Sequence, residues 1–531
     1  MKIVNPFKDK FELSKEQIEI IKACNKHDLV AIEACAGSSK TTTLVAVAHN
    51  IKKRSLFLTF SKALADEARS EFPHHVDCRT IHSLAYKYVG KDYKHKLTRP
   101  SGAYKNLAGT GGEIAKYFKI KPIQVSEDEY ITSAFIGGAV KNLLTKYENA
   151  FEDEIENKHV NYSDIKYLES KYGNYFTDSI KKRFISVTVT NAKKLWKLRT
   201  DVDSDVVCTH DTYQKLYVLS KPKIDTEVLM LDESQDFSGC LISLVQSQIK
   251  SGHCKIVAVG DRDQSIYGWR GACMLNDYLG DYEERLLSHS FRYGEKVADL
   301  AMKVLDNGKD IKGFDKVNTK LVEVLEEDKY DKIAILFRTN AALVDHALAR
   351  IEDGDDVNIE IDLSDYMSLL DSINALKTNN LKYVKHYEVL PYETWDSFKE
   401  DVVNNPTIKR VYDVIEKGDY WRVKGLLKNH QNHPKNKYTL STAHKSKGRT
   451  FPVVMLSDDF PSNYDREGNW KGLQEEEKRL LYVAVTRVQD VLCYNGTTKE
   501  IMEYSKCVED TFNKEMNKRI KELEKDYKIY K

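Results

Sequence analysis

The sequence lacks the features that mark membrane-spanning and disulfide-stabilised proteins. It has no apolar run that approaches the roughly 20 residues needed to span a bilayer. The opening residues, MKIVNPFKDKFEL, show no charged head followed by a continuous apolar stretch, so no secretory signal is expected. The nine cysteines are scattered and form no C-x-x-C pair, which favours reduced thiols over a disulfide framework or a zinc site. These absences predict a protein of the cytoplasm in a bacterial or virus-infected cell, or of the nucleus in a eukaryote.

The sequence also lacks a charge bias and an internal repeat. Its 82 Lys and Arg residues are balanced by 81 Asp and Glu residues, so any groove for a polyanion must come from local arrangement. The composition, with 41% hydrophobic and 31% charged residues, is that of a globular protein. A chain of 531 residues exceeds the usual domain size of about 100–150 residues, so we expect more than one core.

Short apolar runs rich in β-branched residues alternate with helical stretches and end abruptly in polar or glycine-bearing segments. The runs occupy residues 29–32, 55–59, 228–231, 255–259, 332–337, 438–442 and 453–457. Short buried strands that alternate with helices predict parallel sheets, with the chemistry at the carboxyl ends of the strands. Two clusters of runs, before residue 290 and after residue 330, predict two α/β cores.

Composition divides the chain further. The segment 91–204 is rich in Lys, Tyr and Asn and is predicted to be mainly helical, whereas 351–430 is polar and weakly periodic. The charged tail 499–531 favours an exposed helix. The predicted domains are a first core of 1–90 and 205–286 with the helical insertion 91–204, and a second core of 287–350 and 431–531 with the small insertion 351–430.

The segment IEACAGSSKTTTL, residues 32–44, ends like a phosphate-binding loop. The pattern G-x-x-x-x-G-K-[ST] is matched at Lys40 and Thr41, but Ala34 and Ser39 occupy the two glycine positions. In such a loop the lysine reaches the β- and γ-phosphates and the threonine hydroxyl holds Mg²⁺. A Ser/Thr-rich helix cap remains the alternative for this segment taken alone.

Two later segments place polar groups after apolar strands. VLMLDESQD (228–236) ends in Asp232 and Glu233, so that one carboxylate can hold Mg²⁺ while the other orients or deprotonates water. The alternative, an acidic turn, is weakened by the Lys-Thr loop upstream. IVAVGDRDQSIYGWRGA (256–272) places Gln264 to sense a phosphate. Its Trp269 is predicted to lie in a loop and stack on a base, with core packing as the alternative.

Taken together, these segments resemble the motifs of superfamily 1A DNA helicases of the UvrD/Rep/PcrA type. GDRDQSIYGWRGA is similar to that family's GDxxQSIYxFRGA, and LDESQD to its DExQD box. The other motifs follow in the family's order over residues 13–487: LSKEQIEII, FLTFSKALADEA, RTIHSLA, LSHSFRYGEKVADLA, STAHKSKGRTFPVVML and EEEKRLLYVAVTR. The resemblance implies two RecA-like P-loop NTPase cores that use ATP and Mg²⁺.

The resemblance also implies roles for individual residues. The implied catalytic residues are Lys40, Asp232, Glu233, Gln264, Arg292 and Arg487, with Thr41 and Asp232 as the Mg²⁺ ligands. The implied nucleotide-binding residues are Gln17, Ala36, Gly37, Ser38, Ser39, Lys40, Thr41, Thr42, Phe291 and Gly448, of which Gln17 reads the adenine and Phe291 stacks on it. The implied DNA-binding residues are Phe60, Lys62, His82, Tyr267, Trp269, Arg270, Thr442 and His444.

The sequence departs from the family pattern in a few places. Ser39 replaces a P-loop glycine, Thr450 replaces a glutamate that contacts the nucleotide sugar, and His289-Ser290 replaces the usual pair before the stacking aromatic. These changes bear on nucleotide affinity more than on hydrolysis. The segment THDTYQKLYVLSKP (209–222) resembles the F-box DNA helicase branch, although no F-box-like segment is evident.

The sequence therefore predicts an ATP-dependent helicase and translocase that acts on single-stranded and tailed duplex DNA, with replication or recombination proteins as candidate partners. The QSIYGWRGA form predicts 3′-to-5′ polarity, although HKSKGRTF has some character of the 5′-to-3′ relatives. One alternative is an ATPase-degenerate binding or loading factor with a helicase fold. Another is a helicase–nuclease fusion, for which the sequence after residue 490 is too short.

Overall fold

The computed structural model describes residues 3–97, 111–268, 271–386, 388–389, 392, 394–402 and 406–529. The chain divides into two compact units. The first comprises Met1–Ala34, Lys40–Leu287 and Ser364–Tyr420. The second comprises Cys35–Ser39, Ser288–Leu363 and Trp421–Lys531.

The described residues contain strands that run, for the most part, parallel to their neighbours. In chain order they are β1 (Leu29–Ala34), β2 (Ser55–Thr59), β3 (Val76–Thr80), β4 (Ile123–Gln124), β5 (Tyr130–Ile131), β6 (Val228–Leu231), β7 (Phe237–Ser238), β8 (Lys255–Gly260), β9 (Ala272–Cys273), β10 (Glu283–Leu287), β11 (Lys320–Val322), β12 (Ile333–Phe337), β13 (Val357–Glu360), β14 (Tyr438–Thr442), β15 (Phe451–Leu456) and β16 (Val488–Cys493).

Helices connect these strands and form most of the segment between β3 and β6. In chain order they are α1 (Lys15–Lys26), α2 (Lys40–Ile51), α3 (Lys62–Glu71), α4 (Ile81–Tyr88), α5 (Gly111–Tyr117), α6 (Ser133–Asn149), α7 (Tyr162–Tyr172), α8 (Asp178–Thr200), α9 (His210–Leu219), α10 (Gly239–Ser251), α11 (Glu295–Leu305), α12 (Asn340–Glu352), α13 (Leu363–Lys377), α14 (Trp395–Val402), α15 (Pro406–Glu416), α16 (Tyr420–Asn429), α17 (Ala443–Ser446), α18 (Glu475–Val485) and α19 (Gly496–Ile529).

The first unit is built on a six-stranded parallel sheet with the strand order β10-β1-β8-β6-β2-β3. The strands β2 and β6 are buried at every position, as expected for a parallel sheet that is covered on both faces. Because β8 lies between β1 and β6, the segments that follow these three strands emerge side by side at one edge. This edge carries the predicted phosphate-binding residues of the first core.

The second unit contains its own six-stranded parallel sheet, in the order β11-β16-β15-β12-β14-β13. Its central strand β12 is buried throughout. Two parallel sheets, each with helices between its strands, confirm the predicted α/β fold class. They also account for the two clusters of apolar runs in the sequence.

The sequence located the apolar central strands well and the amphipathic edge strands poorly. The observed bounds of β2, β6 and β14 coincide with the predicted runs. The edge strands β3 and β10 were missed because only one residue of the five in each is buried, so neither has a continuous apolar run. The edge strands β11 and β13 were also missed, as was the interior strand β16, whose Gln489 and Asp490 are exposed and interrupt its apolar run.

The segment 111–204 forms the helices α5 to α8, which share an apolar core of their own. Farther along the chain, β13 adds an edge strand to the second sheet, whereas Ser364–Tyr420 is grouped with the first unit. The exact domain boundaries remain a prediction. Among the described residues, no helix combines the length and the apolar character required to cross a bilayer.

Candidate active site

The clearest cluster of predicted site residues lies at the carboxyl edge of the first sheet. Lys40 is the first residue of α2, after β1, and Asp232 and Glu233 directly follow β6. The Lys40 ammonium donates a hydrogen bond of 2.8 Å to Glu233 Oε2. The Thr41 hydroxyl donates one of 3.1 Å to Asp232 Oδ2. The fold thus brings together four residues that the two motifs predicted to act on the same phosphate group.

The backbone after β6 takes an unusual conformation at the second of the two acids. Glu233 adopts a left-handed conformation with φ of 54°, which turns the chain sharply as the strand ends. Its N–H donates to Asp232 Oδ1 at 2.9 Å, which fixes the Asp232 side chain. A left-handed conformation at a residue other than glycine costs on the order of 1–3 kcal/mol and is concentrated at functional sites. We interpret this strain as part of how the two acids are positioned.

The electrostatics of the cluster favour a bound cation. Burial raises the pKa of Asp232 to about 6, and the neighbouring Glu233 charge adds to the rise while Lys40 opposes it. Burial lowers the pKa of Lys40, but Glu233 and Asp232 outweigh this effect, so its pKa is raised overall. The Thr41 hydroxyl and the Asp232 carboxylate supply the hard oxygen ligands that Mg²⁺ prefers. The residues present therefore fit a magnesium ion.

Two buried glutamines belong to a hydrogen-bond network that reaches Glu233, and only one of them was predicted from the sequence as a site residue. Gln235, fully buried in the DESQD segment, donates to Glu233 Oε2 and accepts a 3.1 Å hydrogen bond from the N–H of Asp261. Gln264, predicted to sense a phosphate, donates to Asp261 Oδ2 at 2.6 Å. Gln235 is the glutamine of the DExQD box, so the family resemblance could have identified it. The spacing of the motifs did not show that its side chain would connect the turn after β6 to the turn after β8.

The loop Cys35–Ser39, which is grouped with the second unit, has the backbone of a phosphate-binding loop. Gly37 has φ of 80°, and a Cβ added there would lie 2.5 Å from Ser290 Oγ, so only glycine fits without displacement. Its carbonyl accepts a 2.8 Å hydrogen bond from the N–H of Phe291. Ser39 has φ of 61°, the left-handed conformation that explains the glycine in the family pattern.

The remaining residues of this loop are held by buried hydrogen bonds. The Ser38 hydroxyl donates to the carbonyl of Cys35 at 2.8 Å, and the Ala36 N–H donates to the Tyr482 hydroxyl at 2.9 Å. Tyr482 lies on α18, within the same unit, and was not among the predicted site residues. These contacts order the loop.

The predicted adenine reader, Gln17, lies near the start of α1. Its main chain and side chain form a reciprocal cap with Ser14, and its amide donates to Thr43 Oγ1 of α2 at 3.1 Å. The side chain is 2% exposed. Thr42, another predicted nucleotide contact, is partly buried in the first turn of α2. The structure thus places Gln17 against the helix that follows the Lys-Thr loop.

The two predicted arginine fingers meet at one residue of the second unit. Arg292 Nη1 donates to the Thr486 carbonyl at 2.9 Å, whereas Arg487 Nη2 donates to the Thr486 hydroxyl at 3.1 Å. Arg487 is 1% exposed and also donates from Nε to the Val483 carbonyl at 2.8 Å. Arg487 is therefore a buried, multiply bonded residue, which its position in the sequence did not indicate.

The predicted stacking residue Phe291 belongs to a small group of rings in the second unit. Its ring lies nearly parallel to that of His289, with centroids 5.3 Å apart, and meets the edge of Phe314 at 5.5 Å. His289 is one of the residues that depart from the family pattern. Gly448, with φ of 81°, is exposed just after α17. An exposed Thr450 follows it two residues later.

The predicted DNA-binding residues of the first unit lie after β2 and β3. Phe60 is 38% exposed and meets Phe237 edge-on at 5.3 Å, and Lys62 is exposed at the start of α3. His82, near the start of α4, has its Nε2 3.2 Å from Asp211 Oδ1. Tyr267 is partly buried.

The other predicted DNA-binding residues divide between the second unit and the undescribed part of the chain. Thr442 caps α17 by accepting a hydrogen bond from the Lys445 N–H at 3.3 Å, and His444 is a partly buried residue of that helix. Trp269 and Arg270 lie outside the described residues.

Comparisons with known proteins agree with this arrangement. Residues 13–279 match the family described as UvrD/REP helicase N-terminal domain, and residues 422–498 match the UvrD-like helicase C-terminal domain. F-box DNA helicase 1 of Gallus gallus is 27% identical over 529 residues, which cover 92% of this chain and 50% of that protein. F-box DNA helicase protein 1 of Schizosaccharomyces pombe is 26% identical over 535 residues, with 92% and 58% covered.

A bacterial relative matches a shorter part of the chain. ATP-dependent DNA helicase PcrA of Leuconostoc citreum is 30% identical over 176 residues, which cover 27% of this chain and 23% of that protein. The chain spans 50% and 58% of the length of the two F-box relatives.

Proposed function

Because the chain belongs to the UvrD-like helicase family, we propose that it is an ATP-dependent DNA helicase that translocates along single-stranded DNA. Its two RecA-like cores would couple ATP hydrolysis to duplex unwinding. The observation that carries the proposal is the pairing of Lys40 with Glu233 and of Thr41 with Asp232, at 2.8 and 3.1 Å. Lys40 and Thr41 begin α2 and the two acids follow β6, so a lysine, a hydroxyl and two carboxylates, the groups that P-loop NTPases use for phosphoryl transfer, meet at one edge of the sheet.

Each member of the cluster has a distinct role in the proposed hydrolysis. Lys40 neutralises the charge of the β- and γ-phosphates. Thr41 and Asp232 would hold Mg²⁺, which would supply positive charge to offset that of the phosphate oxygens. Glu233 orients the attacking water and accepts its proton, and Gln235 keeps the Glu233 carboxylate in place through its own hydrogen bond. Gln264 senses the phosphate beside them.

Further nucleotide contacts are proposed for residues that lie far apart in the sequence. Gln17 reads the adenine and Phe291 stacks on it, while backbone N–H groups at the end of the phosphate-binding loop and the start of α2 bind phosphate oxygens. Arg292 and Arg487 stabilise the charge that develops on the transferring phosphoryl group. Both arginines donate a hydrogen bond to Thr486, and this common partner supports a shared role.

Single-stranded DNA is the proposed substrate for translocation, and tailed duplexes are the substrate for unwinding. Lys62 and His82 contact the backbone, and Phe60 and Trp269 provide stacking surfaces for bases. Thr442 and His444 contribute the contacts of the second core. The QSIYGWRGA segment supports 3′-to-5′ movement.

Replication or recombination proteins are the proposed partners. The proposed location is the compartment that holds the DNA, which is the nucleus in a eukaryote and the cytoplasm in a bacterium or a virus-infected cell.

One set of assays tests the proposal. The ATPase rate of the full chain is measured with and without oligo(dT), and unwinding is then measured with tailed duplexes. We expect stimulation by DNA and strand separation, both abolished in Lys40→Ala. DNA binding with no ATPase at any DNA concentration would instead support the ATPase-degenerate binding factor.

A further inference from the structure

The segment THDTYQKLYVLSKP has no assigned role in the proposed function, although it stood out in the sequence. It forms α9, whose first turn is capped by the reciprocal hydrogen bonds of Thr209 and Thr212. The cap fixes the orientation of the two residues between them, His210 and Asp211. The first turn of α9 is therefore a rigid element, and Asp211 projects from it towards the helix that carries His82.

Asp211 makes a defined contact with a predicted DNA-binding residue. Its Oδ1 lies 3.2 Å from His82 Nε2, and the two side chains are 38% and 39% exposed. Burial raises the pKa of Asp211, but the hydrogen bonds from His82 and Asn149 outweigh this effect and lower it, so the group is a carboxylate at neutral pH. A carboxylate accepts the Nε2–H of an imidazole and thereby fixes the ring orientation.

The rest of the His82 environment leaves one edge of its ring available. The rings of His210 and Tyr213 lie 6.0 and 6.3 Å from that of His82, both edge-on, and His210 Nδ1 is 2.9 Å from the Tyr213 hydroxyl. Within the described residues, the Nδ1 atom of His82 has no hydrogen-bond partner. When both ring nitrogens carry hydrogen, one N–H points to Asp211 and the other is available to an anion.

Other residues of α9 are anchored in the helical segment 111–204. The Thr212 hydroxyl donates a 2.5 Å hydrogen bond to Glu148, which also accepts one of 3.1 Å from Arg199. Lys215 is 1% exposed and donates to the Ala150 carbonyl at 2.7 Å. These buried polar contacts leave α9 little freedom to rotate or slide, so the position of Asp211 is determined by the helical segment.

We propose that Asp211 is a positioning residue that holds His82 for a contact with a phosphate of single-stranded DNA. The inference rests on the proposed function because it assumes that His82 faces DNA. Asp211 itself does not touch the nucleic acid, since its carboxylate would repel a phosphate. It acts through the orientation of the imidazole, and α9 transmits that orientation from the helical segment.

A double-mutant cycle tests the proposal. Binding of a fluorescein-labelled oligo(dT) is measured by anisotropy for the wild type, Asp211→Ala, His82→Ala and the double variant. We expect Asp211→Ala to weaken binding about tenfold. The double variant should bind no more weakly than His82→Ala, because the effects of substitutions at contacting residues are not additive. Equal and additive losses would overturn the proposal, as would full affinity in His82→Ala.

The DNA-stimulated ATPase supplies a readout that a purely structural role would not produce. Asp211→Ala should raise the DNA concentration for half-maximal stimulation about tenfold while the rate at saturating DNA stays within about twofold. Asp211→Asn should recover part of the affinity, because its amide oxygen still accepts a hydrogen bond from Nε2. A fall in the saturated rate with no change in the DNA requirement would contradict the proposal.

A matched control is available elsewhere in the first unit. Asp365, in the first turn of α13, also pairs with a histidine, His386, at 3.5 Å. Asp365→Ala should leave oligo(dT) binding unchanged. If Asp211→Ala does not fold, Asp211→Leu, which is similar in size to aspartate and accepts no hydrogen bond, replaces it in the cycle and is judged by the same non-additivity with His82→Ala.

The binding measurements also distinguish failure of the role proposed for Asp211 from failure of the proposed helicase function. A wild-type protein that binds oligo(dT) but does not hydrolyse ATP would overturn the proposed function, while the binding cycle would still decide the role of Asp211. A wild-type protein that does not bind oligo(dT) would overturn both.

Discussion

The Lys40 ammonium lies 2.8 Å from the Glu233 carboxylate although the two residues are 193 positions apart in the sequence. Their side chains are 12% and 19% exposed. A buried ion pair of this kind is costly to break by removing one partner, because the other charge is left without compensation. The pair therefore links the loop after β1 to the acidic turn after β6, and both functional and stability effects are expected from changes here.

Glu233→Gln should retain ATP binding and lose most turnover, because an amide cannot accept a proton from water. The measurements are the affinity for a fluorescent ATP analogue and the ATPase rate with saturating oligo(dT). Glu71→Gln, at the exposed end of α3, is a matched control that should leave both unchanged. Parental turnover in Glu233→Gln would show that Glu233 is not the base.

Ser39→Gly should increase stability and change the DNA-stimulated ATPase by less than about tenfold. Ser39 has φ of 61°, a conformation that glycine adopts without strain, so removal of the Cβ relieves on the order of 1 kcal/mol. Ser39→Ala is the control, because it removes the hydroxyl and keeps the strain. An inactive wild type that becomes active only in Ser39→Gly would identify Ser39 as an inactivating change.

Arg292→Ala should lose about 10³-fold or more in hydrolysis while its affinity for oligo(dT) is nearly unchanged. Arg487→Ala should show the same loss, but its hydrogen bonds to the carbonyls of Val483 and Arg449 make it part of the buried structure as well. Thermal melting of both variants separates the two effects. Arg466→Ala, in an exposed loop, is the control. A loss below about tenfold in a folded variant would count against the arginine-finger role.

The polarity is tested by unwinding two duplexes that differ only in the position of the single-stranded tail. A duplex with a 3′ tail should be separated and one with a 5′ tail should not, as the QSIYGWRGA segment predicts. The opposite preference would show that the subfamily assignment is wrong, although the protein would still be a helicase.

Asp164→Asn should stabilise the protein at pH 7.5 but not at pH 4. Burial raises the pKa of Asp164, in the first turn of α7, to about 6, and within the described residues its Oδ2 is buried without a hydrogen-bond partner. The folded chain holds this proton more tightly than the unfolded chain, whose carboxyl has a pKa of about 3.9. The free energy of unfolding therefore falls as the pH rises from about 4 to about 6 and stays at the lower value above that range.

The stability of Asp164→Asn has no such pH dependence at this position, because asparagine does not ionise. The urea midpoint of Asp164→Asn should exceed that of the parent at pH 7.5, by the equivalent of up to about 3 kcal/mol, and equal it at pH 4. Asp178→Asn, at the exposed first turn of α8, is the control and should change stability by less than about 1 kcal/mol. An equal gain at both pH values would show that ionisation is not the cause.

Much of the fold and part of the candidate site were determined by local sequence. The runs that became β2, β6 and β14 are apolar and β-branched along their whole length, because strands covered on both faces of a parallel sheet need no polar side. The polar groups after β1, β6 and β8 were predictable for the same reason, since the carboxyl ends of parallel strands share one edge. Glycine preference also predicted the strain at Ser39, which its φ of 61° bears out.

Tertiary structure alone decided which of these groups touch. The hydrogen bonds of Gln235 to Glu233 and Asp261 depend on β8 lying beside β6, and strand order is not written in any single strand. Arg487, which is 1% exposed, also donates to the carbonyl of Arg449, 38 positions away, a contact that its own segment does not indicate. The contact between Asp211 and His82 joins residues 129 positions apart. Local sequence patterns do not predict such contacts, because side chains interact only over a few ångströms. Residues that are distant in the sequence come that close only through the packing of the whole unit.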